Sequence, residues 1–279
     1  MIPIKGYSTF DPLKHCVVGS VHNPELIVDN NLKIVMRETA EDLDHLVATL
    51  ESLDVKCYRP TPKDINKRPP ISPRDYLIVL GETLVVGKLQ QGYTSVLNQI
   101  NKKNIDWYLQ DDISSANMIR CGNHIHWDIS KDVTSVTEKK ILSWLADNGY
   151  RVSVTRYGWH MDGVYSILKP GVIVATTDLP ELESIYTGWN ICYPDERKYP
   201  DPIQYDWGSS HKKYFDVNIL SVNEEQCIIA NEHKKLFDFL EKNKINPIIC
   251  KLRHRAFWDN GINCMTQDLY REGVMEDYF

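Results

Sequence analysis

The sequence predicts an α/β fold made of repeated strand–helix–strand units. A short apolar strand, an amphipathic helix and a second strand follow one another five times in the 279-residue chain. Units that recur every ~40 to 70 residues favour radial repetition about a pseudo-symmetry axis, as in a propeller. A doubly wound sheet is the alternative, because the same alternation of strands and helices also predicts that fold.

Each predicted unit has one helix between two strands. In chain order these are residues 15–20, 37–53 and 55–60; 83–88, 91–102 and 105–109; 124–130, 134–148 and 150–155; 171–176, 179–188 and 190–194; and 226–231, 232–243 and 246–251. Apolar residues at helical spacing indicate the helices, as Ile141, Trp144 and Leu145 do in the third unit. Gly149 supplies a C-terminal stop there.

The composition indicates a single soluble domain that spans residues 1–279. The chain is 42% apolar and 25% charged, and no apolar run approaches the roughly 18 residues of a membrane span. A net charge of −6 without a basic stripe argues against nucleic acid as a partner. Seven scattered cysteines and no recognisable signal peptide favour reduced thiols in the cytoplasm.

The stretch DNGINCMTQDLY, residues 259–270, places Cys264 in a polar loop. A free cysteine is usually a small buried hydrophobe with apolar neighbours. Here Asn263 precedes the thiol and Gln267 follows shortly after it. This setting predicts exposure to a cleft, where a thiolate is a nucleophile.

The segment RYGWHMDGVYSI offers a base and a carboxylate for such a thiol. His160 and Asp162 follow a strand and stand two residues apart. If the segment is extended, their side chains point to the same side. A histidine paired with a cleft thiol is the usual means of activating it, and a hydrogen-bonded loop histidine is the alternative.

Three other polar motifs have both a functional and a structural interpretation. Asp75 stands at the start of the buried strand YLIVL, where it either pairs with Arg74 or faces a ligand, and a loop cap is the simpler interpretation. The pair His124 and His126 alternates along a strand without further metal ligands nearby, which indicates a structural role. Residues 208–210, GSS, provide donors for a carboxylate or form a flexible turn.

In their order along the chain, these motifs resemble the amidinotransferases of the guanidino-group-modifying superfamily, in particular the arginine:glycine amidinotransferases. The segments that carry the resemblance are YSTFDPLKHCVVGSVHNPE, SPRDYLIVLGETLV, ANMIRCGNHI, HMDGVYSILKPGVIV, GSSHKKYFDVNIL and NGINCMTQDLYREG. They cover almost the whole chain, and the HxD motif and the C-terminal cysteine are the specific ones. The resemblance implies a five-bladed α/β propeller, which agrees with the five predicted units.

The resemblance also implies roles for individual residues. Cys264 matches the nucleophile and His160 the general acid/base. Asp75 and Asp162 match carboxylates that bind the guanidinium of the donor, and Ser209 and Ser210 match serines near its amino-acid end. The implied chemistry transfers the amidino group of arginine to an amine such as glycine through Cys264, and it needs neither a metal nor an organic cofactor. Family members commonly form dimers, so a homodimer is expected.

Two positions depart from the family pattern. Where the family has acidic residues that orient the histidine, this chain has SSAN, from Ser114 to Asn117. Either Asp111 or Asp112 takes over, or Ser114 and Asn117 orient His160 without a charge. The family also has an arginine for the carboxylate of the donor, and Leu179 stands at that position.

Three functions therefore follow from the sequence. The first is amidino transfer from arginine to an amine acceptor. The second is hydrolysis of a guanidino group, as in arginine deiminases, with water as the acceptor. The third is binding of a guanidino ligand without turnover, which the SSAN stretch favours.

Overall fold

The computed structural model describes residues 1–87, 92–106, 114–198, 213–214 and 216–279. Its strands are β1 (Leu13–Val18), β2 (Lys56–Tyr58), β3 (Leu77–Leu80), β4 (Thr83–Val86), β5 (Ile105–Asp106), β6 (Met118–Cys121), β7 (His124–Asp128), β8 (Arg151–Thr155), β9 (Tyr165–Lys169), β10 (Val172–Ala175), β11 (Asn190–Cys192), β12 (Arg197–Lys198), β13 (Lys213–Tyr214), β14 (Leu220–Asn223), β15 (Gln226–Ile229), β16 (Asn246–Ile249) and β17 (Thr266–Arg271). Its helices are α1 (Asn30–Ser52), α2 (Thr94–Leu97), α3 (Ser135–Asp147), α4 (Leu182–Ile185), α5 (Lys234–Lys242) and α6 (Arg255–Trp258).

Within these ranges the strands form five three-stranded sheets and the two-stranded pair of β12 and β13. In the sheet of β3, β4 and β5, the first two strands are antiparallel and the third runs parallel to the second. The sheets β6–β8, β9–β11 and β14–β16 repeat this layout. In the remaining sheet β17 takes the place of the first strand, antiparallel to β1, and β2 runs parallel to β1.

The predicted α/β fold with five strand–helix–strand units is confirmed. The predicted units correspond to the second and third strands of each sheet and the connection between them. Over the described residues the sheets are separate, which does not fit a single doubly wound sheet. The sequence interpretation did not assign the first strand of each sheet to its unit, because that strand precedes the unit or, for β17, lies at the far end of the chain.

The helices differ in length from their predictions. Helix α1 begins at Asn30 rather than at residue 37, because the Asp29 side chain accepts a hydrogen bond from the Leu32 N–H and caps the helix there. Helices α2 and α4 are single turns, shorter than the predicted 91–102 and 179–188. Residues 88, 91 and 107–109 of the second predicted unit lie outside the described residues.

The first strands of the sheets lie inside the molecule. All four residues of β3 and of β6 are buried, as expected for strands that are covered on both faces. The first strands of different sheets also pack against each other, β9 against β14 and β3 against β17. The chain segments that lead into these strands are thereby brought close together.

No helix in the described ranges is long and apolar enough to cross a bilayer.

Candidate active site

A polar side chain stands one to three residues before the first strand of each three-stranded sheet. These side chains are Asp75 before β3, Asn117 before β6, Asp162 before β9, Asn218 before β14 and Cys264 before β17. The segments before β3, β6 and β9 each contain a short 3₁₀ turn, and the turn before β6 contacts the other two. Because the first strands pack together, these positions meet at one end of the sheets.

Cys264 is buried at this meeting point, with 7% of its surface exposed. Its Sγ donates a hydrogen bond to Asp162 Oδ2 over 3.1 Å. Asn218 contacts the same residue twice, since its Nδ2 donates to Sγ over 3.0 Å and its Oδ1 accepts the Cys264 N–H over 3.0 Å. The predicted exposure of the thiol is therefore wrong. The residues next to Cys264 in the sequence are polar, but Asn218 and Asp162 cover the thiol.

Burial raises the pKa of the Cys264 thiol well above its usual value, and the negative charges of Asp162 and Asp75 raise it further. A backbone hydrogen bond from Gly261 acts in the opposite direction. The free protein thus holds a protonated thiol that donates to a carboxylate. A positive charge placed near the two carboxylates would favour the thiolate.

Asp162 is a buried carboxylate with one oxygen in use and one without a partner. Only 2% of its surface is exposed. Oδ2 accepts hydrogen bonds from Cys264 Sγ, from Asn218 Nδ2 at 3.1 Å and from Asn263 Nδ2 at 3.3 Å. Oδ1 is buried and accepts no hydrogen bond from the described residues, which is costly unless a donor or cation binds there.

His160 and Asp75 form the outer part of the cluster. The Nδ1 atom of His160 lies 3.6 Å from Asp75 Oδ1, with 47% of the histidine side chain and 19% of the aspartate side chain exposed. Burial raises the pKa of Asp75 to about 6; Asp162 raises it too, whereas His160 and nearby arginines lower it.

The HxD segment is not extended, so the condition for the two side chains to point to the same side is not met. Met161–Gly163 form a 3₁₀ turn that His160 precedes. The turn directs Asp162 into the protein and leaves His160 half exposed. The two side chains therefore share one site but have different surroundings.

Arg74 does not pair with its neighbour Asp75. It lies 3.0 Å from Asp268 Oδ1, and Arg120 and Arg271 also contact that carboxylate. These three arginines hold the pKa of Asp268 well below its usual range against the effect of burial. The cluster carries more positive than negative charge, and Arg74 links it to the site because its Nη2 donates to Asn263 Oδ1 over 3.2 Å.

Asp128, which the sequence interpretation missed, holds the segment before His160. Its carboxylate accepts the Tyr157 N–H over 2.9 Å, the Trp159 N–H over 2.6 Å and the Thr155 hydroxyl over 2.6 Å. Its position at the end of the buried strand HIHWD was the available signal. His126 of the same strand is hydrogen-bonded to Tyr165 and to Thr155, in agreement with the predicted structural role.

Other residues predicted to orient His160 have different partners. Ser114 Oγ donates to the Asp75 carbonyl over 3.5 Å, and Asn117 Nδ2 donates to the Asp128 carbonyl over 2.9 Å. Within the described ranges the His160 ring contacts Asp75. Their orienting role stays a prediction. Asp111, Asp112, Ser209 and Ser210 lie outside the described residues.

The position of Leu179 belongs to the core. Its side chain is 3% exposed and packs in an apolar cluster with Leu182 and Tyr186. A ligand carboxylate finds no cation at this position. Among the described residues there is also no group of three or more side chains suited to hold a metal ion.

A site of this kind defines a class of protein: an α/β fold of five similar sheets with a buried cysteine, a histidine and two carboxylates that together suit a cationic ligand. No family model matches the chain. Glycine amidinotransferase of Gallus gallus is 26% identical over 175 residues, which are 59% of this chain and 40% of that protein's length. L-arginine:L-lysine amidinotransferase of Pseudomonas savastanoi pv. phaseolicola is 21% identical, and the match covers 99% of this chain and 96% of that protein's length.

Solved structures show the same fold. Inosamine-phosphate amidinotransferase from Streptomyces griseus superposes with a TM-score of 0.79 at 19% identity, over 100% of this chain and 99% of that one. DDAH from Pseudomonas aeruginosa, solved with citrulline, superposes with a TM-score of 0.69 at 12% identity, over 92% and 99%. The chain is thus similar in sequence to amidinotransferases, and it shares the fold of a solved amidinotransferase.

Proposed function

We propose that the chain transfers an amidino group from L-arginine to an amine acceptor through a covalent amidino-Cys264 intermediate. One observation carries the proposal: the buried Cys264 thiol is hydrogen-bonded to Asp162 Oδ2, while Asp162 Oδ1 accepts no bond from the described residues. A guanidinium bound to the Asp162 carboxylate would lie near the sulfur, because the other oxygen of that carboxylate contacts Sγ over 3.1 Å. Its planar N–H groups match a carboxylate in two-point geometry.

Asp75 is the second carboxylate of the donor site in this proposal. A guanidinium between Asp75 and Asp162 offsets the two negative charges that raise the pKa of Cys264. Donor binding therefore lowers the free energy of the thiolate at the moment it is needed. In the absence of the donor the thiol stays protonated and weakly reactive.

The reaction then proceeds in two transfers. The thiol proton passes to His160, and the Cys264 sulfur attacks the guanidino carbon. The bond from that carbon to the ornithine nitrogen breaks, and His160 returns the proton to the departing amine. An acceptor amine next loses its proton to His160 and attacks the amidino carbon, which breaks the carbon–sulfur bond and restores the thiol.

We propose glycine as the acceptor, with guanidinoacetate and ornithine as products. The support is the match to the Gallus gallus enzyme named for glycine. The longer match is to an enzyme named for lysine, so lysine is the acceptor to compare. Leu179 leaves the carboxylate of arginine to another group, and Ser209 and Ser210 remain the proposed partners.

Hydrolysis is the second candidate. The half-exposed His160 ring lets water reach the proposed base, and in that reaction water takes the place of the acceptor amine. Citrulline formed from arginine without added amine would favour it.

We also propose that the five three-stranded sheets are the blades of a single five-bladed propeller domain. Their common layout and the packing between first strands of different sheets support this arrangement.

Intact-protein mass spectrometry tests the proposed function. The protein is mixed with arginine, then with glycine or lysine, and Cys264→Ala is the control. We expect an adduct of one amidino group on the wild-type protein alone, and its loss with release of the guanidino product when the right amine is added. A wild-type protein that binds arginine without forming the adduct would be a binding protein, and the proposed transfer would be wrong.

A further inference from the structure

The Asn218 side chain joins the Cys264 thiol to the Asp162 carboxylate. It makes four hydrogen bonds within the site: to the Cys264 N–H, to Cys264 Sγ, to Asp162 Oδ2, and to the Asp162 carbonyl, the last over 2.9 Å. The first strands β14, β9 and β17 follow these three residues, so one amide connects the segments that lead into three sheets.

The orientation of the amide is fixed by its partners. The Cys264 backbone N–H can only donate, so the group that faces it is the oxygen Oδ1. The Asp162 carbonyl and carboxylate only accept, so Nδ2 faces them and, with them, the sulfur. A flip of the amide would place an oxygen against two oxygens and the sulfur.

The position of Asn218 is equally constrained. Ser166 Oγ donates to the Val217 carbonyl over 2.5 Å and accepts the Ile219 N–H over 3.2 Å, so the backbone is held on both sides. A Cβ atom on Gly261 would lie 2.4 Å from Asn218 Oδ1. Only glycine lets the loop before Cys264 approach the amide this closely.

We propose that Asn218 is a positioning residue that supports the Cys264 thiolate. The inference rests on the proposed role of Cys264 as the nucleophile. In the free protein Nδ2 divides its two hydrogens among Sγ and two oxygens of Asp162. When the thiol loses its proton, the sulfur becomes the stronger acceptor, and the N–H directed at it becomes a charge-assisted hydrogen bond. Meanwhile Oδ1 keeps the sulfur in place through the backbone N–H.

The test is a pH titration of the thiolate by its ultraviolet absorbance, with Cys264→Ala subtracted to isolate this thiol. Asn218→Ala removes the N–H, and Asn218→Asp puts a negative charge in its place. Loss of a hydrogen bond to a charged group raises the pH of half-ionisation by about 1 to 2 in Asn218→Ala. Asn218→Asp raises it further, because a like charge disfavours the thiolate.

Asn223→Asp is the matched control, since Asn223 ends the same strand β14 and bonds Gln226. It should titrate as the wild type does. A residue with a merely structural role would leave the titration of both Asn218 variants unchanged, or move it equally in both, and either result overturns the inference. If Asn218→Asp does not fold, an unchanged titration of Asn218→Ala is sufficient to overturn it.

The adduct experiment is read separately. A shifted titration in a protein that forms no adduct with arginine supports the role of Asn218 and contradicts the proposed transfer. An adduct in the wild type with an unshifted titration in the variants supports the proposed transfer and contradicts the role of Asn218.

Discussion

Replacing Asp75 with asparagine should stabilise the protein at neutral pH while it weakens donor binding. The carboxylate is 19% exposed, and burial raises its pKa from 3.8 to about 6. At about 1.4 kcal/mol per pKa unit, holding it ionised costs the folded state up to ~3 kcal/mol. Solvent contact reduces this value, so we expect Asp75→Asn to raise the free energy of unfolding by about 1 to 3 kcal/mol at pH 7.

The sign of the pH dependence follows from the direction of the shift. Since the folded state binds the proton more tightly than the unfolded state, the cost is absent below pH 3.8, grows between pH 3.8 and about 6, and is complete above that. The gain from Asp75→Asn should therefore vanish in acid. Arginine affinity of the wild type should fall as the pH drops below about 6, because the protonated carboxyl no longer attracts the guanidinium.

Urea unfolding of wild type and Asp75→Asn from pH 4 to pH 8 measures both features, with calorimetric titration of arginine alongside. Asp238→Asn is the control, since Asp238 lies exposed beside Lys234 and should change little. If Asp75→Asn is no more stable than the wild type at pH 7, or if its gain is the same at pH 4, the reasoning about this carboxylate is refuted.

Three further variants test the rest of the site. Asp162→Asn should weaken arginine binding at least ~tenfold in calorimetry, since a charged hydrogen bond is worth about 1.5 to 3 kcal/mol; wild-type affinity would remove Asp162 from the donor site. Asp268→Asn should lower the free energy of unfolding by about 3 to 5 kcal/mol in urea, because it leaves buried arginines without their counter-charge; an unchanged midpoint would show that the cluster is not coupled to stability. Asp128→Ala should speed hydrogen exchange of the Tyr157 and Trp159 amides and slow formation of the Cys264 adduct, whereas unchanged exchange would contradict its anchoring role.

The sequence predicted the repeat and four side chains that the structure brings together: Cys264, His160, Asp162 and Asp75. These were predictable because each stands in a local motif, a polar loop, an HxD pair or the start of an apolar strand. The motifs could not predict how deeply each side chain is buried. Cys264 is buried because Asn218, from another sheet, lies over it, and local polarity does not report a neighbour 46 residues away.

Long-range pairing also explains the residues that were missed. In the sequence Asn218 is an ordinary polar residue just before a strand. Its role depends on the approach of the segments that lead into β9, β14 and β17. The assignment of the first strand to each sheet was not predicted for the same reason, because the position of that strand depends on packing between units. In the sequence Arg74 is a candidate partner for its neighbour Asp75, but in the structure it pairs with Asp268, 194 positions further along the chain.

The pairing of β17 with β1 has a consequence for the order of events during synthesis. Residues 13–18 leave the ribosome long before residues 266–271. Until then β1 can pair with β2 along one edge, while its other edge has no partner strand. An unpaired edge invites association with other chains, and β17 covers it only after residues 266–271 have been synthesised. Because Cys264 immediately precedes β17, the thiol takes its place beside Asn218 and Asp162 in the same step. A nascent chain therefore carries the other parts of the site before it can hold a positioned nucleophile.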